Sequence, residues 1–253
     1  MNHRTEEEKA RFSGVFYAHR GLYEKDQSIP ENSLTAFQRA AEKGYGVELD
    51  VQLSKDGHVM VFHDDTLKRM CGVDGNIWDY TLEELQAFRL KETDERIPLF
   101  PEVLKVLENG AGPLIVELKN GPKNDELAFK TYEFLKTYPG IYCIESFNPF
   151  LVNWFRKNAP EVFRGQLATK KEDYSSYPKP VADMLSSCRF SFLNRPDFIA
   201  YNLEAEIPAH VQKLRKKGVL LVAWTSREKE KAEEIRKAFD AVIFEHYAPG
   251  EKC

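Results

Sequence analysis

At 253 residues, 42% hydrophobic and 30% charged, the chain can bury a full core and has the usual length of a one-domain α/β barrel. A formal charge of −4 supplies no basic field, which excludes nucleic acid as an expected partner and leaves any anionic ligand to local positive charge. The most apolar run, residues 219–224, falls far short of the ~20 residues that span a bilayer, so no membrane span is expected. Residues 1–13 read as a polar leader without the apolar centre of a signal peptide. Cys71, Cys143, Cys188 and Cys253 follow neither a zinc-ligand spacing nor a disulfide framework. Reduced thiols and a cytoplasmic location are expected, and His3, in the leader, is given no role.

From residue 14 onward, β-branched and aromatic runs alternate with segments of helical period. Strands are predicted at 14–19, 45–53, 58–63, 113–118, 141–146, 163–168, 198–202, 219–224 and 241–244. Helices are predicted at 31–43, 82–88, 101–107, 125–137, 149–158, 209–217 and 227–238, the first entered after Pro30 and stopped at Gly44. Such alternation argues for parallel βα units, and roughly eight of them fit a TIM-like (β/α)8 barrel better than an open sheet. One domain is expected over 14–253. A rim insertion at about 64–98, after the second βα region, carries a short helix near Thr81 that Glu84 can cap reciprocally. A connection of that length is expected to overhang the barrel mouth.

The chemistry lies in strand parity. Across 45–53, Val47, Leu49, Val51 and Leu53 share one face, while Glu48, Asp50 and Gln52 share the other. Glu117 shares a face with Ile115 and Lys119 on the strand at 113–118. Three carboxylates meeting at a barrel mouth would raise one another's pKa unless a cation neutralised them. An all-oxygen donor set suits Mg²⁺ or Ca²⁺ better than Zn²⁺. The competing assignment is a set of buried salt bridges, for example Glu117 with Lys119 or Arg20. His19 and His63 end two strand candidates beside Arg20 and Asp64, where one imidazole can accept a proton and the other donate one. Arg20 and Lys119 supply positive charge for a phosphodiester. Trp224 is either an apolar wall for substrate or core. Neither a glycine-rich nucleotide loop nor a G-x-S-x-G elbow is present.

The ordered set Ala18-His19-Arg20-Gly21, Pro30-Glu31-Asn32, Val47-Glu48-Leu49-Asp50-Val51, Lys55-Asp56-Gly57 and Val61-Phe62-His63-Asp64, with Leu67 and Arg69 behind it, resembles the glycerophosphodiester phosphodiesterase family. The likeness continues through Ile97-Pro98, Val116-Glu117-Leu118-Lys119, Glu145-Ser146-Phe147 and Ala223-Trp224-Thr225. The resemblance implies a barrel that hydrolyses glycerophosphodiesters to glycerol 3-phosphate and an alcohol. By similarity His19 and His63 are the acid/base pair, and Glu48, Asp50 and Glu117 hold a divalent ion. Arg20 and Lys119 neutralise the phosphate, Glu31 and Asn32 organise the first rim loop near the glycerol, and Trp224 lines the substrate. The chain departs from the family at its last strand, which runs into Glu245-His246 rather than Thr-Asp. With a short insertion, soluble head groups are favoured over intact lipids. Two other functions compete: a glycoside hydrolase working through a carboxylate pair on a similar barrel, and a noncatalytic barrel binding anionic metabolites.

Overall fold

The structure is a computed structural model that describes residues 4–108 and 110–250, so His3 and Cys253 lie outside the described residues. The chain divides into two compact units, Tyr17–Tyr142 and Cys143–Cys253 with Met1–Phe16.

In the first unit, β2 (Gly46–Leu53) is the organising strand. Parallel neighbours flank it: β1 (Phe16–His19) pairs from Tyr17↔Gly46 to His19↔Glu48, and β4 (Leu114–Leu118) pairs from Val47↔Leu114 to Val51↔Leu118. All eight residues of β2 are buried. Its apolar set packs against the helices Leu34–Glu42 and Asn124–Leu135, which leaves Glu48, Asp50 and Gln52 on the opposite face, as parity predicts.

Two boundaries differ from expectation, each for a local reason. The strand predicted at 58–63 shrinks to β3 (Val59–Val61), which runs antiparallel to the end of β2 rather than parallel within the βα series. His63 therefore sits on the loop beyond the strand. The helix predicted from residue 31 begins at Leu34 because Asn32 takes φ +55° and Ser33 caps the helix, its Oγ accepting from Ala36 N at 3.2 Å. Its predicted stop holds, with Gly44 at φ +67°. The insertion contains the helices Lys68–Cys71 and Leu82–Ala87, the latter with the expected Thr81/Glu84 capping box. It packs around its own apolar cluster of Phe62, Leu67, Met70, Ile77, Leu85, Leu90 and Ile97 joined to Met60, which is more substance than a bare lid requires.

In the second unit, β5 (Tyr142–Ser146), β6 (Phe163–Ala168), β7 (Phe198–Asn202), β8 (Leu220–Ser226) and β9 (Ala241–Phe244) pair in parallel and in chain order. The sequence missed the helices Lys179–Ser186 and Ser191–Asn194: in the first, Val181, Ala182 and Leu185 do recur at helical spacing but over barely two turns, and the second is a single turn, too short to show a period. The polar leader also holds more than its composition suggests. Glu6–Ala10 is helical, Arg4 donates to the carbonyls of Pro160 and Val162 at 2.9 and 2.8 Å and pairs with Asp197 at 3.1 Å, and Phe12 stacks on Phe163 at 4.5 Å. One arginine and one phenylalanine dock the segment, too few to register as a pattern. At the divergent chain end, buried Glu245 accepts from Arg227 Nε at 2.6 Å. Among the described residues no helix is long and apolar enough to cross a membrane.

Leu85 is fully buried in the insertion cluster. Leu85→Ala is expected to lower the urea unfolding free energy by about 2–5 kcal/mol, the usual range for a buried leucine truncated in a packed core.

Candidate active site

The register between β2 and β4 sets the site. Asp50 pairs with Glu117 across the ladder, and inward parity puts Glu48 one step earlier on the same face. Donor oxygens of Glu48, Asp50 and Glu117 lie within 4.8 Å of one another, and all three residues are buried. On the other edge of β2, His19 is the register partner of Glu48, with Nε2 3.8 Å from Glu48 Oε2, and the Arg20 amide donates to the same oxygen at 3.0 Å. Gln52, the third inward side chain, donates through Nε2 to the carbonyls of Phe62 and Asp64 at 3.0 and 2.8 Å, so β2 also holds the loop that carries His63. Parity displayed Gln52, but nothing in the sequence showed what it would grip.

Fixed cations surround the acids. Lys119 Nζ lies 2.8 Å from Glu117 Oε1 and 3.4 Å from Asp50 Oδ1, and Arg20 Nε is 3.6 Å from Asp50 Oδ2. The salt bridge anticipated between Glu117 and Lys119 is thus present. Arg20 takes Glu31 instead, at 2.7 Å. The upward shift expected where no cation neutralises the acids does not occur at Asp50, which has Lys119 and Arg20 beside it. Burial pushes Asp50 up, but the charges of His63, Lys119 and Arg20 and the Asn32 amide outweigh it and hold the carboxyl far below the ordinary range. Glu117 is raised, because burial and Asp50 together outweigh Lys119. Burial works against the charges of Lys119 and Arg20, yet the carboxylates around them keep both above their usual values.

The cluster suits a hard cation. Asp50 Oδ1 and Asn32 Oδ1 are buried acceptors without a hydrogen bond, while Asn32 Nδ2 donates to Asp50 Oδ2 at 2.9 Å. An all-oxygen donor set of this kind is compatible with a divalent metal ion.

The two rim loops meet through backbone in unusual conformations. Arg20 and Asn32 adopt φ +54° and +55°, and the Asn32 amide donates to the Arg20 carbonyl at 2.9 Å. Gly21, at φ +81°, could carry no Cβ, which would fall 2.9 Å from the Ala36 backbone. His63 Nδ1 lies 2.7 Å from Asp64 Oδ1, and Arg69 spans Asp64 and Glu31. Asp64 and Arg69 stood in the sequence motif without an assigned task, and Gln27, which receives the Glu31 amide at 3.0 Å, carried no signal at all. Thus His19, Arg20, Glu31, Asn32, Glu48, Asp50, Glu117 and Lys119 form one connected group, with His63 attached through Asp64 and Arg69. Trp224 belongs to the other unit, half-buried on β8 with its ring edge-on to Phe147 at 5.7 Å.

A model of the glycerophosphoryl diester phosphodiesterase family matches residues 19–247. A glycerophosphodiester phosphodiesterase of Caldanaerobacter subterraneus subsp. tengcongensis is 33% identical, over 89% of this chain and 91% of that protein. Among solved structures, an Oleispira antarctica phosphodiesterase in complex with the product sn-glycerol-3-phosphate aligns with a TM-score of 0.77 at 26% identity, over 92% of this chain and 93% of that one. A glycerophosphodiester phosphodiesterase of Thermotoga maritima aligns at 0.69 and 31% identity, over 91% and 93%. Fold and site together define a TIM-like (β/α)8 barrel hydrolase of phosphoric diesters. The chain belongs to the glycerophosphoryl diester phosphodiesterase family, and it is an enzyme that hydrolyses glycerophosphodiesters. The glycosidase and noncatalytic readings give way to this one.

Calorimetric titration with Mg²⁺ and Ca²⁺ checks the acid cluster. Glu48→Gln is expected to weaken binding of the preferred ion by at least about tenfold, since even partners one shell further out are worth that much.

Proposed function

We propose that the protein cleaves small, water-soluble glycerophosphodiesters to glycerol 3-phosphate and an alcohol, with Glu48, Asp50 and Glu117 holding Mg²⁺ or Ca²⁺ and with His19 and His63 exchanging protons with substrate. The convergence of the three buried carboxylates within 4.8 Å, beside an imidazole and two fixed cations, carries this reading. The product found in the Oleispira antarctica relative supports a phosphate-bearing product.

A bound dication would polarise a phosphoryl oxygen and lower the pKa of a nearby hydroxyl. The chain's own groups supply the remainder. Arg20 Nε is buried with no hydrogen-bond acceptor, a donor available to a phosphate oxygen, and Lys119 adds a compact charge on the far side of Asp50. Against the effect of burial, His63 and Arg69 hold Asp64 ionised, so it can only accept; His63 Nδ1 therefore donates in their 2.7 Å contact, and Nε2 is the nitrogen that faces proton exchange with substrate. In the displacement one imidazole takes the proton of the attacking hydroxyl as its oxygen bonds to phosphorus. The other gives a proton to the departing alcohol oxygen as that P–O bond breaks; with a glycerol hydroxyl as the attacking group, water then opens the cyclic phosphate to glycerol 3-phosphate, the two imidazoles exchanging roles. Asn32 keeps Asp50 oriented from the rim. Trp224 is proposed as an apolar wall for substrate. Buried free thiols at Cys143 and Cys188 favour a reducing cytoplasm as the working compartment.

Release of glycerol 3-phosphate from glycerophosphocholine is expected to stop with EDTA and return with Mg²⁺ or Ca²⁺. His19→Ala and His63→Ala should each lower kcat by about 10²-fold or more with the circular dichroism spectrum intact. Near-native turnover in either variant removes that histidine from the mechanism.

A further inference from the structure

We infer that Arg69 is a positioning residue for this reaction, fixing the His63 imidazole through Asp64 and the Arg20 guanidinium through Glu31, so that the insertion serves to deliver one side chain that couples both. This deepens the assignment of His63 and Arg20 above and rests on it.

The geometry is a double fork. Arg69 Nε and Nη2 donate to Asp64 Oδ2 and Oδ1 at 2.6 and 2.9 Å, and Nη2 and Nη1 donate to Glu31 Oε1 and Oε2 at 2.6 and 2.9 Å. A planar guanidinium can hold two carboxylates in one plane in this way, whereas a lysine ammonium, a point charge on a flexible stem, cannot. On one side Asp64 passes the constraint to His63 Nδ1. On the other Glu31 passes it to Arg20 Nη1 at 2.7 Å.

Counting acceptor sites changes the role of Glu31. A carboxylate offers about four lone-pair sites. Arg20 and Arg69 occupy Glu31 Oε1, while Arg69 and the Gln27 amide occupy Oε2 at 2.9 and 3.4 Å. Glu31 is buried and has no site left for a substrate hydroxyl. It is a clamp between two arginines rather than a direct contact to the glycerol.

The insertion holds Arg69 in place from behind. Arg69 lies on the helix Lys68–Cys71, whose Met70 is buried in the insertion cluster. Lys91 closes the arrangement, its Nζ donating to the Arg69 carbonyl at 2.5 Å and its amide to the Met70 carbonyl at 2.7 Å.

Steady-state kinetics on glycerophosphocholine separate the two arms. Asp64→Asn should lower kcat by about tenfold or more with KM little changed, and Glu31→Gln should act mainly by raising KM. Arg69→Ala should do both, and Arg69→Lys should recover no more than about threefold of the lost kcat/KM, because charge without the fork is insufficient. Added to Asp64→Asn, Arg69→Ala should cost no further kcat beyond about twofold, since the two act on His63 in series. A full multiplicative loss in the double variant, complete rescue by lysine, or native kinetics in Arg69→Ala each overturns the inference. If Arg69→Ala does not fold, Arg69→Lys carries the same comparison in the Asp64→Asn background. An impaired His63→Ala beside an unaffected Arg69→Ala defeats this inference alone, whereas an unaffected His63→Ala defeats the mechanism on which it rests.

Discussion

A fully buried carboxylate must be paired or coordinated, since desolvating an ion costs several kcal/mol even after the protein relaxes. Asp50 is such a group, with no exposed surface, and the polar architecture of its unit is arranged around it. Lys119 approaches from β4, Arg20 from the end of β1, and Asn32 from the first rim loop. Lys119 and Arg20 are each tied to a second acid, Glu117 and Glu31. Removing Asp50 would strand both cations. The cluster is therefore one cooperative unit, in which effects of neighbouring substitutions are not expected to add.

The same strand that places Asp50 also holds the loop that carries His63. Gln52, two residues on, binds the carbonyls around His63, so a single β-strand spaces the acids from the loop histidine. The insertion supplies the second support through Arg69. Its apolar cluster is large for a lid but suited to a strut, which must resist displacement if a guanidinium is to hold two carboxylates at hydrogen-bond distance. A side chain on a loop needs this kind of backing, because loop backbone lacks the ladder that holds Glu48 and Glu117.

Much of this was readable from residue order alone. The faces of β2 and β4, the stop at Gly44, the cap at Thr81 and the inward placing of Glu48, Asp50 and Glu117 all follow from local periodicity and side-chain chemistry. The antiparallel turn of β3 did not, since Val59–Val61 is equally apolar in either direction and only its pairing with Val51 and Leu53 tells them apart. The docking of the leader was hidden as well, because its two anchoring residues, Arg4 and Phe12, find partners more than a hundred residues away in sequence.

Period-two alternation is a property of neighbouring residues, so the sequence suffices to say that Glu48, Asp50 and Glu117 are inward acids on buried strands. Which cation meets which acid is a property of register and of rim dihedrals. The pairing Asp50↔Glu117 and the positive φ of Arg20 and Asn32 turn Arg20 toward Glu31 and Asp50 and leave Lys119 to Glu117. Those choices involve partners that no short window of sequence contains, and the folded chain makes them because buried charges must be paired across strands and loops.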